Sequence, residues 1–241
     1  MGNPLHQFEI KTLIPIHMGS WDFSFTNAAL FMAISVGLVV LLLSVSLRRT
    51  ALIPGKGQAL AEMALGFVQN MMTETIEGRE SRAFFPFILS LFFFILMGNL
   101  LGMLPHAYTF TSQLIVTFAL ASLVFVLVTI VGFFRHGFRF FSYFLPEGVP
   151  VFLAPFIILI ELISYLSRPV SLSIRLFANM MAGHTMLKVF ALFTIALGFY
   201  GVSTLLLNAA LVGFEFLVAC LQAYVFSVLS CLYLKDAIHL H

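Results

Sequence analysis

The sequence predicts an all-α integral membrane protein with about five membrane helices and one interfacial amphipathic helix, and three observations carry that expectation. Of 241 residues, 61% are hydrophobic and 9% charged, with a mean hydropathy of +1.07; an ordinary soluble domain carries about 25% charged residues. Such a surface cannot be solvated as a water-soluble globule. Second, apolar runs of about 20 residues, enough to cross a hydrocarbon core, end at basic residues or proline. Third, the chain is mostly apolar from Val151 almost to Lys235, too long a stretch for one crossing. The same figures exclude two classes: a net charge of +2 offers no basic face for nucleic-acid phosphates, and the apolar content is far above that of disordered segments.

Taken in order, the N-terminus mixes Glu9, Lys11 and Asp22 with a broken apolar run. It lacks the basic start, continuous apolar core and small-residue cleavage site of a secretory signal, so no removal is expected. Met1-Gly2-Asn3 begins like a myristoylation signal, but Leu5-His6 follow where Ser or Thr is wanted. The first span is 28–47, stopping at Arg48-Arg49. Residues 58–77 differ: Leu60, Ala64, Phe67, Val68 and Met71 fall at helical spacing among Gln58, Glu62, Gln69, Asn70 and Glu74, the pattern of a helix lying along the interface. Spans 84–104 and 114–134 follow, closed by Pro105-His106 and Arg135-His136. The final stretch reads as two very long helices, about 150–192 and about 202–236, forming a hairpin with its turn near Gly198-Phe199-Tyr200-Gly201. The whole, 1–241, reads as a single membrane domain.

Basic residues in short loops orient the chain. The 48–56 connection has Arg48, Arg49 and Lys56, the 105–112 loop has none, and the next loop has Arg135 and Arg139; positive-inside reading puts the N-terminus outside and the C-terminus inside. Cys220 and Cys231 share one apolar run, about 16 Å apart on a helix, and read as small apolar residues beyond disulfide reach.

A charge near mid-membrane costs roughly 2.5 to 3.5 kcal/mol on insertion scales, so such residues are functional candidates. Glu161, Arg168 and Arg175 are spaced by seven, a turn of about 700°, and share nearly one helix face. Asn208, Glu215 and Gln222 repeat the spacing on the last helix. Two such stripes can satisfy each other or surround water. His184 follows Arg175 by nine residues, a turn of about 900° that places it on the opposite side and about 13 Å along. Arg stays protonated, whereas His and Glu gain and lose protons; the pattern suits a proton path interrupted by a fixed cation. The alternative is structural: polar ties between helices or snorkelling ends, the favoured reading for Lys188, Arg135 and Arg139 and an equal one for Arg168.

The run Ser167-Arg168-Pro169-Val170-Ser171-Leu172-Ser173-Ile174-Arg175-Leu176-Phe177-Ala178-Asn179-Met180-Met181-Ala182-Gly183-His184 strongly resembles the signature of subunit a of the F-type ATP synthase, the stator of its membrane sector. The resemblance extends over nearly the whole chain, including His6-Gln7-Phe8-Glu9-Ile10, Gly98-Asn99-Leu100-Leu101-Gly102-Met103-Leu104-Pro105 and Leu221-Gln222-Ala223-Tyr224-Val225-Phe226. It implies that Arg175 is the arginine facing the carboxylate carried by each c subunit of the rotating ring, with Asn179 one turn on. His184 and Glu215 match an interacting acid and histidine. Many bacterial members place Glu first and His second; mitochondrial and alphaproteobacterial members resemble this chain. Gln222 matches a glutamine close to the arginine, and Glu161 an acid upstream. The last two helices are then expected to be long, tilted and packed against the c-ring.

The function so implied is proton conduction through two half-channels to and from the ring carboxylates, coupling proton flow to ATP synthesis. Expected partners are the c-ring, b-type peripheral stalk subunits and the rest of the complex. The chain is not expected to be an enzyme by itself, since no Gly-rich phosphate loop with GKS or GKT is present, and no cofactor or metal is expected. The resemblance points to an alphaproteobacterial-type inner membrane, with the mitochondrial inner membrane as the alternative. Two rivals stand beside it. A secondary transporter would show repeats or paired broken helices around a central site; a purely structural membrane anchor would tolerate loss of Arg175 and His184.

Overall fold

The computed structural model describes residues 9–15, 17–18, 21–22, 24–46, 48, 55–76, 79–104, 107–137, 140 and 152–238. Gly2, His6, Gln7, Phe8, Arg49, Pro105, His106 and Arg139, all used in the sequence reading, lie outside them.

The polar N-terminal region holds four short strands that hydropathy does not announce. β1 (Thr12–Ile14) pairs antiparallel with β4 (Phe25–Thr26), and between them β2 (His17–Met18) pairs with β3 (Trp21–Asp22). The Asn27 side chain fastens this region to the first helix: Oδ1 accepts from the Lys11 amide at 3.2 Å and the Ala28 amide at 2.9 Å, while Nδ2 donates to the Glu9 carbonyl at 3.2 Å. That geometry satisfies a backbone N–H that the helix start would otherwise orphan.

Six helices follow: α1 (Asn27–Ser46), α2 (Lys56–Thr75), α3 (Arg79–Gly102), α4 (Leu114–His136), α5 (Ala154–Ala196) and α6 (Gly201–Ile238). All except α2 are long and apolar enough to cross a membrane. The bounds differ from the hydropathy spans for physical reasons. α3 begins at Arg79 rather than 84 because polar residues ahead of the apolar run still make helical hydrogen bonds; hydropathy measures the greasy part only. α5 continues to Ala196 because Phe193, Thr194 and Ile195 offer no break. The break comes at Gly198, whose φ of +55° suits a residue without Cβ. At Gly201 a Cβ would lie 2.2 Å from the Thr194 carbonyl oxygen, so a glycine is needed for the returning helix to leave this close.

α5 packs chiefly on α6 and α4, while α3 packs on α6 and α1. The shared core takes Val68 and Met72 from α2, Ile88, Phe92 and Ile95 from α3, Val124 from α4, Leu172 and Leu176 from α5, and Phe226 from α6. α2 thus buries one face against the bundle; Leu60, Met63 and Phe67 remain exposed on it. α5 and α6 likewise leave long apolar surfaces bare, including Leu166, Val170, Ile174, Phe214, Leu217 and Leu221. Lipid or a further protein must cover them, because water would not.

Candidate functional site

The α5–α6 hairpin brings polar groups of both helices together as a ladder, which takes in Arg168 of the α5 stripe and Glu215 and Gln222 of the α6 stripe. Arg168 Nη1 lies 3.2 Å from Asp236 Oδ2, Asn179 Nδ2 donates to Gln222 Oε1 at 2.7 Å, His184 Nδ1 lies 3.4 Å from Glu215 Oε1, and Thr194 Oγ1 lies 2.9 Å from Thr204 Oγ1. As the number on α5 rises, its partner's number on α6 falls, the signature of antiparallel packing in one continuous register. Each rung pairs groups that would otherwise be costly in an apolar surround.

Arg175 does not join this ladder. It stands at the centre of α5, exposed, and makes no hydrogen bond or ion pair among the described residues. Its neighbours on either side of the rungs point inward: Ser173 is fully buried and its hydroxyl lies 3.2 Å from that of Thr117 on α4, and Leu176 is fully buried. His184, half a turn away in phase, faces the bundle instead. The nine-residue step therefore separates a permanent cation from a titratable pair by half the circumference of one helix and about 13 Å of its length.

The titratable pair is well enclosed: the His184 side chain is 11% exposed and that of Glu215 5%. Three elements hold it. His184 Nε2 lies 3.0 Å from the hydroxyl of Thr109, in the segment between α3 and α4. Glu215 reaches His184 across α5 because Gly183 has no side chain, since a Cβ there would stand 2.7 Å from Oε1 and 3.0 Å from Cδ of the carboxyl group. Asn99 of α3, fully buried, donates to the Ala219 carbonyl at 3.2 Å, one turn beyond Glu215. Both Glu215 oxygens, Asn99 Oδ1, Gln222 Nε2 and Asn208 Oδ1 are buried and make no hydrogen bond among the described residues. A buried polar group left so costs about 1–3 kcal/mol, and native proteins ordinarily supply water or a partner.

Of the predicted site residues, the fold thus joins His184 to Glu215 and Asn179 to Gln222, and leaves Arg175 exposed, without a hydrogen bond or ion pair among the described residues. Glu161 is half-buried two heptads before Arg175, about 21 Å along the helix, and makes no hydrogen bond or ion pair among the described residues. Arg168 is a structural tie: besides Asp236 it stacks over Tyr233 at 5.1 Å and Tyr165 at 5.7 Å. Arg135 pairs with Glu80. Lys188 is half-buried, and Cys220 and Cys231 are free thiols. Thr109, Asn99 and Gly183 were not singled out by sequence reasoning. Gly183 carried a signal in its place immediately before His184; Thr109 and Asn99 matter only through contacts made in the fold. Among the described residues no group of three His, Cys, Asp or Glu is placed to hold a metal ion.

The sequence profile of the ATP synthase A chain family matches residues 29–235. The chain is 53% identical to ATP synthase subunit a of Rhizobium leguminosarum bv. trifolii over 244 aligned positions, covering 98% of this chain and 97% of the relative. It is 52% identical to ATP synthase subunit a of Pelagibacter ubique, covering 99% and 98%, and 50% identical to that of Paramagnetospirillum magneticum, covering 100% of each. With the family profile spanning most of the chain and relatives matched from end to end, this chain belongs to the family of subunit a of the F-type ATP synthase, its proton-translocating stator component.

Proposed function

We propose that this chain holds two half-channels against a ring of c subunits, and that Arg175 is the fixed cation separating them. The observation that carries this reading is the state of Arg175: a guanidinium at the centre of a 43-residue apolar helix, exposed and unpaired among the described residues. An arginine so placed costs roughly 2.5 to 3.5 kcal/mol unless an anion from outside the chain meets it. A carboxylate on each passing ring subunit supplies that anion, and the bare apolar faces of α5 and α6 supply the surface it slides along. The guanidinium favours the ionised carboxylate, promotes release of its proton to the exit path, and blocks a direct hop between channels.

His184 and Glu215 form the relay of the entry half-channel. The unpartnered oxygens of Glu215 and the polar atoms of Gln222 and Asn208 along the same helix, with Asn99 of α3, support a hydrated path there. Asn179 and Gln222 brace the helix pair one turn beyond Arg175. Glu161, set apart from these groups, serves the opposite end of the path. α5 is about 65 Å long, roughly twice the hydrocarbon thickness, so it lies strongly tilted along the ring. α2, with one face in the bundle and Leu60, Met63 and Phe67 exposed, lies along the interface of an inner membrane. The chain carries protons and does no chemistry on ATP; b-type stalk subunits hold it to the catalytic head.

Arg175→Ala tests this in membrane vesicles. The complex is expected to assemble at normal level and lose proton-coupled ATP synthesis entirely. Arg175→Lys is expected to be nearly as poor, since an ammonium lacks the planar fork and can lose its proton when desolvated. Normal synthesis by Arg175→Ala overturns the proposal.

A further inference from the structure

We infer that Thr109 is a positioning residue that fixes His184 in one tautomer, so that the ring exchanges protons through Nδ1 alone. The inference rests on the proposed relay and concerns how its histidine is held. Thr109 Oγ1 lies 3.2 Å from the Gly102 carbonyl and 3.0 Å from His184 Nε2. A threonine hydroxyl has one proton to give. A carbonyl can only accept, and that of Gly102 is in the last turn of α3, where a helix runs out of N–H donors for its own carbonyls. The hydroxyl proton therefore goes to Gly102, and Oγ1 faces His184 as an acceptor. His184 must then keep a proton on Nε2 in its neutral and its charged form.

The surroundings hold Thr109 to that task. The residue is buried, its own carbonyl accepts from Ser112 Oγ at 2.6 Å, and a Cβ on Gly102 would stand 2.4 Å from Oγ1, so only glycine admits the threonine this close. Nδ1 is left as the one variable site, 3.4 Å from Glu215 Oε1. Neutral His184 presents a lone pair there; the 3.4 Å gap makes no hydrogen bond as it stands, and once it closes the pair has a single exchangeable proton between them. Transfer breaks the O–H bond of the Glu215 carboxylic acid and forms Nδ1–H, leaving a carboxylate and an imidazolium. Return reverses both. The Nε2 proton cannot pass to Thr109, whose oxygen would need to shed its own proton onto a carbonyl. His184 is thus a side reservoir for Glu215, and the path runs through the carboxylate, not across the imidazole.

The test uses the whole ATP synthase in inverted membrane vesicles, reading ATP-driven proton pumping against the amount of assembled complex. Thr109→Ser keeps the hydroxyl and is expected to pump within about twofold of the parent; Thr109→Val keeps the shape, removes the acceptor and is expected to lose about tenfold, or ~1.4 kcal/mol. In a His184→Gln background Thr109→Val should add no further loss, a non-additivity that a merely structural threonine would not produce. Nitrogen-15 NMR of labelled histidine in the unmutated complex, with the His184 signal assigned by its loss in His184→Gln, should find Nε2 protonated in the neutral ring, whatever the folding of the variants. A protonated Nδ1 in neutral His184, parent-level pumping by Thr109→Val, equal loss in Ser and Val, or full additivity overturns the inference. If His184→Gln itself pumps normally, the relay falls; if it is impaired while Thr109→Val is not, only the anchoring by Thr109 falls.

Discussion

Replacing Gly183 with alanine separates the packing of this site from its chemistry. The added Cβ would stand 2.7 Å from Glu215 Oε1, 3.0 Å from Cδ and 3.2 Å from Cγ, and ordinary contact begins near 3.4 Å. Oε1 must therefore retreat from α5 by roughly 0.7 Å, away from the helix that carries His184. The atoms displaced are the free end of a flexible side chain, so the strain is modest, about 0.5 to 1.5 kcal/mol for an off-rotamer torsion. Alanine in place of glycine in a helix returns about 1 kcal/mol. The two nearly cancel, and the complex should assemble at its usual level. The chemistry has no such compensation. A His184–Glu215 separation of 3.4 Å, already too loose to make a hydrogen bond, widens further, and misplacement on the order of 1 Å in a proton-transfer pair costs up to about a hundredfold. We expect ATP-driven pumping in vesicles to fall 10- to 100-fold at constant complex content. Unchanged pumping by Gly183→Ala, or a fall that merely tracks lost assembly, refutes the reasoning.

Two further outcomes follow from the ladder. His184→Glu combined with Glu215→His should retain more ATP synthesis than either single change, because an antiparallel rung fixes the meeting of two groups and not which helix bears which; a double variant no better than the worse single one denies the coupling. Arg168→Ala should lower the unfolding midpoint of the extracted complex by an amount equivalent to about 1 kcal/mol, the worth of a part-exposed ion pair with Asp236 and stacking on Tyr233, while proton coupling measured in vesicles stays intact.

Much of the architecture was legible because a bilayer imposes it. An apolar run of about 20 residues has few alternatives to a spanning helix; the polar heptads marked α5 and α6 as helices with polar groups to satisfy, but of the α5 heptad only Arg168 meets α6, and the other rungs come from Asn179, His184 and Thr194. The phase relation of Arg175 and His184 was also readable, since it depends only on 3.6 residues per turn. What escaped was of two kinds. Strands β1 to β4 lie in a polar stretch too short and irregular to show a period of two. Thr109 and Asn99 belong to neither polar stripe. Thr109 reaches His184 from the segment after α3 and Asn99 reaches the Ala219 carbonyl, one turn beyond Glu215, from α3, by contacts between residues 75 and 120 positions apart, and no local pattern encodes such a meeting. Glu161 is the opposite case: it continues the stripe in sequence, yet the helix carries it two heptads away from the cation it shares a face with.

The division of α5 into two faces has a mechanical consequence under the proposed function. Glu215 is buried between the helices whereas Arg175 is exposed, and under the proposal it is the exposed side that a ring carboxylate would pass. If both groups faced the same way, an imidazolium at His184 would compete with the guanidinium for the same carboxylate, and the cation could not discriminate loading from release. Set about 13 Å apart and half a turn round, the titratable pair and the permanent charge act on the ring at different places along its path. The order of residues on one helix then decides where the ring site is charged and where it is neutral. On the same argument an exchange of Glu and His between positions 184 and 215 should leave the role of Arg175 unchanged: exchanging partners across a rung changes neither the face nor the height of the pair, while moving the arginine would change both.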